Sequence, residues 1–197
     1  MTSFQIILLI IAASIGGGAA WLLRNKTHSE FLSVLLSFSG AYLLGVVVLH
    51  LLPGVFESAP DSLHEVHQHF YGSSVFILVG FFVQLLLVQF TRGIEHGHLH
   101  LHEHVSKGYV TGVLFGLSVH ALLEGIPLAA AEISPDQRDS LYWGIFIHKI
   151  PETFALATIL FFSEKRIIVP VVLIVLFSFM TPAGSFLGNY LSTEQTG

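Results

Sequence analysis

The chain has 197 residues, of which 53% are apolar and only 11% charged, with a formal net charge of −5 and a mean hydropathy of +0.75. A soluble domain carries about 25% charged residues, so a water-exposed globule of this composition would present large apolar patches and aggregate. A cytosolic enzyme, a nucleic-acid binder and a disordered chain are excluded; the composition is that of an integral membrane protein.

At about 20 residues per helical crossing, six apolar runs can be read in chain order. They cover approximately 4–23, 31–52, 73–91, 108–131, 141–162 and 167–191. None alternates with the period of a barrel strand, and backbone groups in lipid must be paired within their own segment. The expected fold is therefore all-α, a single polytopic bundle of six transmembrane helices.

The first run carries its basic residues after it, at Arg24 and Lys26, which is not the order of a signal peptide. The second ends in VVVLHLLPGVFE and places His50 near one interface, where it can line a pore entrance or sit at headgroup level. The following loop holds Asp61, His64, Glu65, His67 and His69, a set able to raise the local cation concentration. After the third run, the segment 92–107 reads RGIEHGHLHLHEHVSK, with His96, His98, His100, His102 and His104 at every second position. Such histidines do not share one helix face, but a loop can gather them round an ion. With the N-terminus outside, Arg24, Lys26, Arg92, Lys107, Lys165 and Arg166 all fall on the cytoplasmic side and only Arg138 outside, as the positive-inside rule requires.

The fourth run contains SVHALLEGIPLAA and the fifth IFIHKIPETFALA. Each puts a histidine and a glutamate four residues apart: His120 with Glu124, and His148 with Glu152. On a helix such residues share a face about 6 Å apart along the axis. Buried ionisable groups cost about 2.5–3.5 kcal/mol each on insertion scales, so two identical pairs point to a site rather than to interhelical glue. Two nitrogens and two oxygens suit four-coordinate zinc(II); iron(II), manganese(II) and cadmium(II) also fit this donor set. Pro127 and Pro151 stand beside the pairs and free backbone carbonyls there. Lys149 lies next to His148 and three residues before Glu152, within reach of the same face. An ammonium between the two carboxylates would leave a net charge of −1 without an ion and +1 with a divalent one. Gly108, Gly112 and Gly116, and Gly184 with Gly188, form small-residue stripes that let helices approach closely.

These motifs together resemble the ZIP family of divalent-metal transporters. The likeness runs over about 31–190: LHLLP closing the second run, a GFF-type third run leading into a histidine-rich loop, HALLEG in the fourth and HKIPE in the fifth. The resemblance implies an importer of zinc or a similar ion into the cytosol, not an enzyme. It places the principal metal site between the fourth and fifth spans, with His120, Glu124, His148 and Glu152 as ligands, and it suggests a homodimer. Three positions depart from the family pattern. Ala121 and Lys149 stand where further ligands are often found, and Leu123 where a proline often precedes the glutamate. The first two imply a single-metal site, with the Lys149 ammonium in place of a second ion. The family usually has eight spans, so the expectation is of a chain truncated at its C-terminus. Its compactness points to a bacterial cytoplasmic membrane.

The expected mechanism is alternating access round a midplane site, with ion occupancy falling as the imidazoles protonate near about pH 6. Two other readings stay open on the residues alone. An intramembrane zinc hydrolase would use Glu124 or Glu152 as general base, and a metal-sensing membrane protein would use the histidine-rich loop.

Overall fold

The computed structural model describes residues 1–24, 29–57, 63–91, 106–129 and 133–195, and every regular element among them is helical. In order these are α1 (Ser3–Leu23), α2 (Ser29–Val46), α3 (Leu52–Glu57), α4 (Leu63–Thr91), α5 (Lys107–Gly125), α6 (Pro135–Ser163), α7 (Ile168–Ser178) and α8 (Met180–Gln195). Among the described residues, five helical stretches are long and apolar enough to cross a membrane: Ser3–Leu23, Leu36–Gly54, Lys107–Ala129, Pro135–Ser163 and Ile168–Ser192. A shorter apolar stretch, Ser74–Gln89, lies within α4.

Local sequence explains where these helices start and bend. Thr2 and Ser134 begin α1 and α6 with capping boxes. Each hydroxyl accepts from the amide of a glutamine three residues on, and that glutamine's side chain accepts from the cap amide. Ser106 caps α5 by accepting from the Tyr109 amide at 3.2 Å. Prolines account for the irregular turns. Pro53 follows a π-helical turn, Val47–Leu51, that joins α2 to α3. Pro127 sits in the 3₁₀ turn Ile126–Ala129 that ends α5. Pro182 offers no amide to the Ser178 carbonyl, and the α7–α8 run breaks at Phe179.

α6 is the hub of the bundle, packed against α1, α2, α5 and α7, while α5 bridges from α4 to α8. Along α6 the side chains change character in layers. Leu141, Tyr142 and Ile145 join one apolar cluster with Leu9, Val46 and Leu128. Ala155, Leu156, Ile159 and Leu160 join another with Leu36, Leu117, Ala121 and Phe177. Between the two lie buried His148, Lys149, Glu152 and Thr153. Lys149 is fourteen residues from either end of the helix, or about 21 Å at a rise of 1.5 Å per residue. The polar layer is therefore at mid-depth. The outer surface is apolar, with Phe76, Leu78, Phe81 and Phe82 of α4 all exposed, as befits a surface whose solvent is lipid.

α5 and α8 are drawn together by glycine. A Cβ on Gly184 would collide with the Leu122 carbonyl, and one on Gly125 with the Thr181 carbonyl. This close approach fixes the helical turn that carries Glu124. Gly108, expected in the same kind of seam, has open space where a Cβ would stand, because it belongs to the first turn of α5, away from α8.

Candidate metal site

The site is assembled from facing turns of α5 and α6. On α5, the Glu124 Oε1 lies 3.0 Å from the His120 Nε2, one helical turn away. On α6, His148 faces His120 edge-on, with ring centroids 6.2 Å apart and planes at 77°. One ligand atom from each of His120, Glu124 and His148 lies within 4.8 Å of the other two. In tetrahedral zinc, donors about 2.0–2.1 Å from the metal stand roughly 3.4 Å apart, so rotamer shifts of about 1 Å would close the three on an ion. Neutral imidazoles and a carboxylate offer two nitrogen lone pairs and one anionic oxygen, with a fourth position left for water or another donor.

Glu152 is placed differently. Its Oε2 accepts from the Lys149 Nζ at 2.5 Å, and the same ammonium donates to the Glu124 Oε2 at 3.2 Å. The Phe177 ring covers that ammonium at 5.2 Å, a favourable face for a cation. Lys149 and Glu152 are 2% and 1% exposed, whereas His120 and Glu124 keep 18% and 11%. The Glu152 Oε1 is buried and has no hydrogen-bond partner among the described residues. Glu124 thus belongs to two groups at once, with one oxygen toward His120 and the other on Lys149.

His120, Glu124 and His148 form part of the wall of a cavity of about 850 Å³ between α2, α4, α5 and α6. Its wall is otherwise mainly apolar, with Leu44, Pro127 and Ile145. Lys149 and Glu152 are not in that wall. Two polar residues not singled out by spacing belong to these surroundings. Gln84 of α4 lines the cavity, and Ser39 of α2 places its Oγ 3.1 Å from the His148 Nδ1. Each is a polar residue in an apolar run, which is the signal that could have flagged it.

His50 stands in the π-helical turn, exposed, outside the cavity wall, and its carbonyl accepts from the Gln137 Nε2 at 2.7 Å. His96, His98, His100, His102 and His104 lie outside the described residues, as does Asp61; the side chains of His64, Glu65, His67 and His69 do too.

A family model described as ZIP zinc transporter matches residues 96–197, just over half the chain. This chain belongs to the ZIP zinc transporter family. The matched region contains both His-x-x-x-Glu pairs, and the family is one of transporters rather than enzymes. This ZIP chain is also 34% identical over 90 residues to mouse (Mus musculus) Zinc transporter SLC39A7. That alignment covers 40% of the chain and 18% of the relative, so the chain spans less than a fifth of that protein's length. No solved structure matches the chain.

Proposed function

We propose that this chain carries zinc(II) across a membrane toward the cytosol through one intramembrane site. His120, Glu124 and His148 are its primary ligands and Glu152 a fourth donor held aside by Lys149. The observation that supports the reading is the convergence of three donor atoms within 4.8 Å on the wall of a large mid-bundle cavity. An ion stripped of water in a low-dielectric layer needs anionic and lone-pair donors in place of its hydration shell. Lys149 supplies the balancing charge: with two carboxylates the site is −1 without an ion and +1 with one. The unpartnered Glu152 Oε1 keeps a lone pair for the fourth coordination position. Iron(II), manganese(II) and cadmium(II) suit the same donors.

In this reading the N-terminus is outside, His50 marks the approach, and the histidines at 96–104 receive the ion in the cytosol. The working unit is a homodimer in a bacterial cytoplasmic membrane. The test is zinc uptake into proteoliposomes, comparing the unaltered chain with the His120→Ala/His148→Ala double variant. Uptake that falls to the level of empty vesicles in the variant supports the reading; undiminished uptake refutes it.

A further inference from the structure

Ser39 is a buried hydroxyl on α2, 1% exposed, and it sits between two groups. Its Oγ donates to the Leu36 carbonyl of its own helix at 3.1 Å, and it lies 3.1 Å from the His148 Nδ1 on α6. A serine hydroxyl has a single proton and two lone pairs. A carbonyl only accepts, so with both contacts made as hydrogen bonds the single proton goes to Leu36 and the bond to His148 runs from Nδ1–H to the serine oxygen. A neutral imidazole with its proton on Nδ1 carries its lone pair on Nε2.

We infer that Ser39 is a positioning residue that holds His148 in the Nδ1–H tautomer and so presents Nε2 as the ion-binding nitrogen. The inference rests on the reading of His120, Glu124 and His148 as the zinc site. Partners of this kind fix the tautomer and ring orientation of metal-binding histidines, and their loss typically lowers affinity 10–100-fold. The Leu36 carbonyl is the second half of the device. Without a fixed acceptor for the hydroxyl proton, serine could donate to Nδ1 instead and reverse the tautomer.

The experiment is ¹⁵N nuclear magnetic resonance of the metal-free full chain, labelled at histidine, at pH 8, with His148 assigned by comparison with His148→Gln. The expected spectrum has a protonated Nδ1 and an unprotonated Nε2 at His148; a protonated Nε2 overturns the inference whatever the zinc behaviour. Zinc affinity is then measured with His96, His98, His100, His102 and His104 replaced by glutamine, so that the loop does not compete. In that background Ser39→Ala should bind zinc 10–100-fold more weakly and show mixed tautomers, while Ser39→Thr, which keeps the hydroxyl, should restore both. Unchanged affinity and tautomer in Ser39→Ala overturn the inference. If His148→Gln itself binds zinc as tightly as the unaltered site, the site reading fails and this inference with it. A loss in His148→Gln without one in Ser39→Ala removes the inference alone.

Discussion

The two His-x-x-x-Glu pairs are the same pattern on neighbouring helices, yet they end in different states. On α5 the pair stays together, with Glu124 turned to His120 and both reaching the cavity. On α6 the pair is parted. His148 reaches the cavity and is held from behind by Ser39, while Glu152 is drawn onto Lys149, whose ammonium lies against the Phe177 ring. Spacing sets which side chains share a helix face, but the nearest opposite charge sets where a buried carboxylate points. An ammonium three residues away outcompetes an imidazole four residues away, because a full charge in a low-dielectric layer binds a carboxylate more strongly than a neutral ring does.

That difference can be broken in stages. The largest effect is expected from His120→Ala/His148→Ala. It takes one imidazole from each helix and should lower zinc affinity at the intramembrane site by more than about 100-fold, since only carboxylate donors remain; titration in the loop-substituted background measures it. Next comes Lys149→Met, which removes the cation shared by Glu124 and Glu152. Breaking a buried ion pair by deleting one partner costs about 3–5 kcal/mol, and should appear as a lower unfolding temperature in detergent. Added zinc should restore part of that loss, because the two carboxylates have then lost the ammonium that neutralised them. The Lys149→Met/Glu152→Gln variant, with one carboxylate fewer to neutralise, should be more stable than Lys149→Met alone.

A smaller effect is expected at the seam that supports the α5 pair. Gly184→Ala pushes a methyl group into the Leu122 carbonyl, two residues before Glu124. Overpacking of this kind costs about 1–3 kcal/mol. Gly108→Ala, where a Cβ meets no atom within 4 Å, should leave the unfolding temperature unchanged or slightly raised, because alanine is the better helix former by about 1 kcal/mol. The smallest effect is at Ser134, whose capping box starts α6. Ser134→Ala should cost about 1 kcal/mol and leave zinc binding untouched, since the cap is fourteen residues from His148.

Much of this was legible in the residues. Low charge and long apolar runs specify a helical bundle in lipid, and the four-residue spacing of His120 with Glu124 places both on one face once the run is helical. What spacing does not carry is contact across helices. Ser39 is one of several serines in α2, and only the docking of α2 on α6 brings its hydroxyl to the His148 Nδ1. Gln84 likewise acquires meaning from the cavity that α4 and α5 enclose with α2 and α6. The glycines divide in the same way: Gly184 and Gly108 look equivalent in the sequence, and only one has a helix against it.

The proposed site holds one ion through an imidazole from each of α5 and α6 together with Glu124. The direct measurement is zinc content with X-ray absorption at the zinc edge, on purified protein carrying glutamine at positions 96, 98, 100, 102 and 104. The expected result is a single zinc per chain in a four-coordinate site with two imidazole nitrogens among its donors. A zinc bound through oxygen donors alone, or two zinc ions per chain, would overturn the proposed site.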